Sequence, residues 1–502
     1  MPRKNNLNRR RFLGTAASAS LAFSIVPRNV LGKGHIAPSD QLRMAYIGCG
    51  TQGIREMHEL IKNPKIRITS VCDPNKFTTD YRDWSTSEIR NRMREATGNA
   101  NWGVALNGIP GGRDVGQEMV QQYYGRTLPS GTYKGCASYE DFRELLEKEQ
   151  DYDAVKIMTP DHLHATISIA AMKKGKQVVI HKPIANRMYE ARLTIDTARK
   201  TGVSTHLLAW SKISGNDTLK KMIDEGAIGT LKSIHNWSNR PVWPQWDKRP
   251  AEPMAVPEGM NWDLWLGPEK DRPYHINYTH MTFRGWYDFG GGTIADMGHY
   301  SLWPLFLTLG ITRPPISAEA CAGTTREFVN QVSREVKNDV AFPLSCMVRF
   351  KFPEQEKLPA FDLCWYDGGM KPPMPEGWGD QPMPAEGMMI VGDKGVVMAG
   401  FNCESPTLVP EQNMKAWQQG RVLPKDKEDR NENHWIDAFL QKKESPGSFL
   451  LAGCVTETIQ LGAVAIRNAG KRLLYDSQAM KITNHNDANR FFYREYRKGW
   501  EL

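Results

Sequence analysis

Four side chains in this sequence have the chemistry to move a proton at an alcohol. Asp296 and His299 stand three residues apart in a stretch with helical spacing, so both face one side of a helix. A carboxylate beside an imidazole can take the hydroxyl proton while the carbon loses a hydride. Tyr300, the next residue, reaches the same ligand if the helix is turned. Lys182 follows the short apolar run Gln177-Val-Val-Ile180. A lysine there could donate and accept a proton, or orient a hydroxyl, and partial burial beside a charged cofactor would move its pKa toward neutrality. Gly290-Gly-Gly292, just before Asp296, allows close approach of backbone to ligand.

Such chemistry needs an electron acceptor, and the sequence has a place for one. Arg43-Met-Ala-Tyr-Ile47 is a short apolar run that ends in Gly48-x-Gly50-x-x-Gly53, and a helical pattern follows at once. A second strand, Ile66 to Val71, ends in Cys72-Asp73. Strand, glycine turn, helix, strand and acid is the dinucleotide-binding order. Gly48 permits the tight turn, Gly50 lets the backbone approach a pyrophosphate, and Gly53 lets helix pack on strand. The helix N-terminus, with Thr51 and Gln52 in its first turn, offers N–H groups and a positive dipole end to phosphates. Asp73 lies twenty residues past Gly53, where it can accept hydrogen bonds from a ribose. Its charge favours NAD over a 2′-phosphorylated cofactor, and nearby Lys76 keeps NADP open.

The elements that position these residues read as an α/β protein. The rhythm resumes with the strand Ala154 to Met158, the turn Thr159-Pro160-Asp161 and a helix from His164 to Lys174 that Gly175 ends. The strand at 177–180, a helix from Met188 to Thr201 and a strand from Val203 to Leu208 complete a doubly wound parallel sheet over 41–208. Within it, 78–132 is polar and glycine-containing and reads as an insertion on the sheet's edge. From 209 the character changes. Five of the 15 tryptophans fall between Trp237 and Trp265 among five prolines. Strands then come in succession, at 316–324, 339–352, 360–366 and 388–399, which predicts an α+β domain over 209–502.

The formal net charge of +9 is concentrated at one end. Residues 1–33 hold seven basic side chains and no acid, which leaves +2 for the rest, so a basic surface for nucleic acid is not supported. Asn8-Arg9-Arg10-Arg11-Phe12-Leu13 followed by a mild apolar stretch to Val26 resembles a twin-arginine export signal. It predicts passage through the twin-arginine machinery to the periplasm. Eight cysteines are scattered without a CxxC, so free thiols are the default. His162 and His164 form an HxH with no third ligand at convincing spacing, and a turn lining the cofactor is favoured over a metal site.

With these pieces placed, the chain resembles the glucose-fructose oxidoreductase / inositol dehydrogenase family, Gfo/Idh/MocA, from about residue 41 onward. The matches are Ile47-Gly-Cys-Gly-Thr-Gln-Gly53, Val71-Cys-Asp-Pro74, Thr159-Pro-Asp-His-Leu-His164, Gly175-Lys-Gln-Val-Val-Ile-His-Lys-Pro183, Trp262-Asp-Leu-Trp-Leu-Gly-Pro268 and Gly290-Gly-Gly-Thr-Ile-Ala-Asp-Met-Gly-His299. Asn433-His-Trp-Ile-Asp437 and Tyr496-Arg-Lys-Gly-Trp500 match later in the chain. The resemblance implies a Rossmann domain, then a domain whose open, mostly antiparallel sheet builds the sugar site and an oligomer contact. It implies tightly held NAD or NADP in a site that includes Gly48, Gly50, Thr51, Gln52, Gly53, Asp73, Thr159, Pro160, Asp161, His164, His181 and Lys182. Lys182 matches the lysine of the family's Glu-Lys-Pro motif, and Asp296 the aspartate after the triple glycine. Two departures stand out. His181 replaces the usual glutamate, and the family's histidine, four residues after the aspartate, is Tyr300 here with His299 one place early. One residue turns a helical side chain by about 100°, so His299 or Tyr300 serves, according to how the helix sits. The activity implied is oxidation or reduction of a sugar, glycoside or cyclitol; an NAD-dependent glycosidase and a non-catalytic sugar-binding protein are the alternatives.

Overall fold

The computed structural model describes residues 36, 40–129, 133–209, 216–423 and 433–502; the expected export signal, 1–33, lies outside them. The first sheet begins with β1 (Leu42–Ile47), α1 (Thr51–Leu60) and β2 (Ile66–Cys72). Then come α2 (Glu88–Thr97), α3 (Arg113–Thr127), β3 (Ala137–Tyr139), α4 (Phe142–Lys148), β4 (Ala154–Ile157), α5 (His164–Lys173), β5 (Gln177–Ile180), α6 (Met188–Thr201) and β6 (Thr205–Leu207). The strands lie in the order β3-β2-β1-β4-β5-β6, all parallel. Helices cover both faces of such a sheet, so its inner strands must be apolar throughout. Every residue of β4 and β5 is buried. Gln177 and Lys156 are the polar exceptions, and Lys156 Nζ is matched at 3.0 Å by Glu56 on α1. The strand order reverses between β1 and β4, which opens a crevice beyond their carboxyl ends.

The stretch at 78–132 does more than decorate an edge. α3 is the crossover from β2 to β3, and its Val115, Met119 and Val120 enter the same core as Met44 and Ile68. β3 is only Ala137-Ser-Tyr139, too short for its alternation to mark a strand.

The second sheet is built from α7 (Asn216–Asp224), β7 (Leu231–Trp237), α8 (Trp262–Leu266), α9 (Gly292–Leu309), β8 (Ser317–Ala322), a separate hairpin β9 (Arg326–Val329) and β10 (Val332–Glu335), β11 (Cys346–Phe352) and β12 (Phe361–Tyr366). After these come β13 (Gly387–Gly392), β14 (Val396–Ala399), β15 (Thr407–Val409), α10 (Glu411–Gln418), α11 (Trp435–Leu440), α12 (Gly453–Ile466), β16 (Arg472–Asp476) and β17 (Lys481–Ile482). Its nine strands run β15-β14-β13-β7-β12-β11-β8-β16-β17, antiparallel except where β7 meets β12. α9 and α12 cover one face of this sheet. A Cβ on Gly462 of α12 would stand 2.7 Å from Ile294 Cδ1 and 2.8 Å from Phe350 Cζ, so helix, helix and sheet meet closely only through a glycine. α6 packs on α12, and the core runs unbroken between the two sheets.

The two units are not separate stretches of sequence. Trp435, Ile436 and Phe439 of α11 return to the first sheet and pack with Leu42, Met44, Val179 and Leu208. Ser445 to Phe449 runs beside β6, with Leu207 N donating to Gly447 O at 2.8 Å. The C-terminal tail then crosses back as well. Arg494 donates to both Glu190 oxygens on α6 at 2.6 and 3.0 Å, to Glu269 Oε1 at 2.7 Å and to Asn186 Oδ1 at 2.5 Å. The three charged side chains are 1–6% exposed. Removing one partner of a buried ion pair leaves charge without compensation. We therefore expect Arg494→Met to lower the unfolding free energy by about 3–5 kcal/mol, read from the shift in a denaturant-unfolding midpoint, with Arg199→Met on exposed α6 surface as the silent control.

Candidate functional site

At the reversal between β1 and β4 lies a cleft of about 970 Å³. Gly48 turns out of β1 at φ +102°, and a Cβ there would lie 2.5 Å from the carbonyl carbon of Met158. On Gly53 a Cβ would lie 2.2 Å from Gly48 O. Both turn and helix are therefore closed to any side chain. α1 starts at Gly50 with no capping side chain and no acid in its first turn. Its open N–H groups and positive end face the cleft, which is the arrangement that holds a pyrophosphate. Gly48, Gly50, Thr51, Gln52, Gly53, Asp73, Thr159, Pro160, Asp161 and His181 all line this one cleft.

Asp73 ends β2 with its carboxylate turned inward. Oδ2 accepts from Cys49 N at 2.6 Å and Oδ1 from Asn75 N at 2.8 Å. Burial pushes its pKa up to about 6, against the pull of those two N–H groups. The stretch just after it forms the cleft's outer wall. Tyr81 stands against Gly50, its hydroxyl accepting from Asn75 Nδ2 at 3.1 Å and its ring 4.2 Å from that of His280. Arg55 of α1 is paired with Asp83 and lies over Trp84 at 4.3 Å. Asn261 N donates to Pro74 O and Lys76 N to Gly259 O, so loops from both units close over the nucleotide end.

The proton-handling groups meet at the other end. Lys182 Nζ lies 2.5 Å from Asp296 Oδ1, and Arg284 Nε donates to the same oxygen at 2.9 Å. Burial lowers the Lys182 pKa while the Asp296 charge opposes it. Burial would raise Asp296, but the two cations win and hold it far below the usual carboxylate range. Tyr300 OH is 3.0 Å from His181 Nε2, and its ring is 5.1 Å from Lys182 Nζ. Burial and the Lys182 charge pull the His181 pKa well down, so the ring is neutral and its Nε2 shares one hydrogen bond with the phenol. Asp161 Oδ2 accepts from Gly291 N at 3.1 Å, which ties the turn after β4 to the glycine loop before Asp296.

Of the expected residues, Lys182, Asp296 and Tyr300 do not line the cleft themselves but stand against His181 and Arg284, which do; His299 and His164 fall farther away. His299 is fully buried on the opposite side of α9, with Nε2 3.4 Å from Thr456 Oγ1 on α12; burial brings its pKa down to about 3. α9 presents Gly298 and His299 to α12 and turns Tyr300 toward His181, which lines the cleft. His164 is outside the cleft wall. Its ring sits between Pro183 O at 2.6 Å and Thr159 O at 2.8 Å and joins the two turns that carry Lys182 and Thr159. His162, the other half of the HxH, lies with Nε2 2.8 Å from Trp265 O. Among the described residues no group of three His, Cys, Asp or Glu is placed to hold a metal.

Sequence reasoning missed Arg284, Tyr81 and His280. Arg284 sits in a 3-10 turn of an aromatic stretch, twelve residues before the acid it grips. Tyr81 and His280 are 199 positions apart and meet only in the fold. None carries a local pattern.

Comparison with known proteins agrees with this geometry. The Gfo/Idh/MocA family models match in two pieces: the oxidoreductase-family NAD-binding Rossmann fold over residues 121–208 and the oxidoreductase-family C-terminal alpha/beta domain over 214–337. A levoglucosan dehydrogenase from Pseudarthrobacter phenanthrenivorans is 33% identical over 114 residues, 21% of this chain and 29% of that one. A glycosyl hydrolase family 109 protein from Shewanella is 26% identical over 225 residues, 44% of this chain and 40% of that one. The chain thus spans less than half the length of these curated relatives. The WlbA dehydrogenase from Chromobacterium violaceum, solved with NADH and UDP-GlcNAcA, superposes with a TM-score of 0.51 over 88% of this chain and 98% of that one; at 14% identity the likeness is one of fold. With the six-stranded sheet and the glycine turn in place, the two matches identify residues 121–208 as part of a Gfo/Idh/MocA NAD-binding Rossmann fold and residues 214–337 as part of that oxidoreductase family's C-terminal domain.

Proposed function

We propose that this protein transfers hydrogen between NAD and a hydroxyl-bearing carbon of a sugar or glycoside, after export to the periplasm. The observation that carries the reading is the cluster of Lys182, Asp296 and Tyr300 directly behind Arg284 and His181, which line the far end of a glycine-walled cleft. The relatives named as levoglucosan dehydrogenase and 1,5-anhydro-D-fructose reductase support a carbohydrate substrate. Export rests on the arginine pattern at Asn8–Leu13 and predicts that an Arg9→Lys, Arg10→Lys double variant stays in the cytoplasmic fraction.

The residues divide the work. Gly48 to Gly53 and the N-terminus of α1 would hold the pyrophosphate, and Asp73 the adenosine ribose. When bound, NAD supplies the two-electron acceptor. Lys182 receives the hydroxyl proton at Nζ, which burial makes easier to free of its own. Asp296 stays ionised throughout and fixes Nζ, while Arg284 keeps that carboxylate in place. Tyr300, hydrogen-bonded to His181, orients a sugar hydroxyl with its phenolic oxygen. The aromatic loops that close the cleft keep water out. A second reading, glycoside cleavage through transient oxidation, draws on the family 109 relatives, which align over 44% of the chain.

The deciding experiment records absorbance at the reduced-nicotinamide band for the exported protein while sugars and glycosides are titrated. A rise that a keto-sugar reverses is expected; silence across the panel, with NAD bound, would sink the redox reading. Release of a chromogenic leaving group with no net absorbance change would select the glycosidase. Lys182→Arg keeps the charge but not the base, so kcat should fall about 10²–10⁴-fold, as with Lys182→Ala. Tyr300→Phe should lower kcat as well, whereas His299→Gln should leave it within a few-fold. NAD affinity should rise between pH 5 and 7. Asp73 titrates at about 6, and only the ionised carboxylate can accept from both ribose hydroxyls. Calorimetry on Asp73→Asn should show weaker binding with that pH step gone.

A further inference from the structure

A second cavity of about 1130 Å³ lies between Arg187, five residues past Lys182, and Asp288, two residues before the triple glycine. Seven of its lining side chains are Arg or Lys and four are Asp or Glu. Each of the four acids already has a cation. Glu269 is engaged by Arg187 and Arg494, Asp288 by Arg249 and Arg272, Glu495 by Lys270, and Asp271 by Arg497 outside the cavity. That accounting leaves two guanidinium groups. Arg467, at the end of α12, and Arg490 have no carboxylate partner among the described residues. Both lie over the ring of Phe491, at 4.0 and 4.7 Å, and Arg467 also lies 4.4 Å from the ring of Tyr287.

Two like charges held over one ring, with no anion between them, make an electrostatically incomplete arrangement. Aromatic faces orient guanidinium groups but leave their N–H edges free to donate. Burial and the nearby Arg187 bring the Arg467 pKa down to about 10, which is the mark of a cation short of counter-charge. We propose that this cavity binds an oxyanion, a phosphate or a carboxylate, on the N–H edges of Arg467 and Arg490. The site does not depend on the redox reading of the cleft. It stands directly behind both loops that carry Lys182 and Asp296, since Arg187 donates to Tyr287 O and Asn186 O at 2.9 Å.

The test is calorimetric titration of the full, NAD-saturated protein with inorganic phosphate and, separately, with glucuronate, at constant ionic strength set by chloride. Saturable binding of one of them is expected, with affinity reduced about tenfold or more in Arg467→Gln, the loss of a charge-assisted pair. Arg490→Gln changes an exposed side chain, carries no folding risk, and should weaken the same anion. Whichever anion binds more tightly names the source. No saturable binding of either anion, or affinity unchanged in both variants, overturns the proposal.

Discussion

The charged cluster between the two sheets hangs on one carboxylate oxygen. Asp296 Oδ1 receives both Lys182, from the end of a strand in the first sheet, and Arg284, from the aromatic loops before α9. A buried carboxylate with two cations is stable only when all three are held, since any one of them alone would be an uncompensated charge. Everything that fixes the two chains on either side of this oxygen therefore becomes part of the site. Asp161 holds the glycine loop through Gly291 N, and His164 holds the turn at Pro183. Asn186 Nδ2 reaches across to Asp288 O at 2.9 Å. Behind them Arg494 clamps Asn186, Glu190 and Glu269.

This arrangement separates two tasks that share a cleft. The nucleotide end is built from backbone: glycines, helix N–H groups and a carboxylate already satisfied by amides. The substrate end is built from side chains whose charges are set by one another. His181, where relatives are expected to carry glutamate, fits the second task in an altered way. A carboxylate there would add negative charge beside Asp296; a neutral imidazole instead leaves the Lys182–Asp296 pair alone and shares a hydrogen bond with Tyr300. The departures at His181 and Tyr300 are thus a single change, two residues in hydrogen-bond contact.

What could be read from the sequence was local. Gly48, Gly50, Gly53 and Asp73 lie within twenty-six consecutive residues, and their spacing follows from one strand–turn–helix–strand unit. Lys182 and Asp296 sit in short motifs at the ends of predicted elements. The strands of the first sheet were legible too, apart from β3, whose three residues are too few to carry a pattern. The choice between His299 and Tyr300 was not legible, because it depends on which face of α9 meets α12, and α9 is apolar on both sides. Arg284, Tyr81 and the Arg494 knot were out of reach for a related reason. Each contact spans from twelve to more than three hundred residues, and a buried ion pair leaves no periodic trace in either partner.

The return of α11 and of the tail to the first sheet bears on the order in which the molecule is made. The first sheet is synthesised before the second, yet its core is closed by Trp435 and Phe439, and Trp500, more than three hundred residues on, packs on Phe142. The half that is synthesised first is thus the half that is finished last. A nascent chain would display an unfinished nucleotide fold until α11 and the segment around Trp500 have followed it.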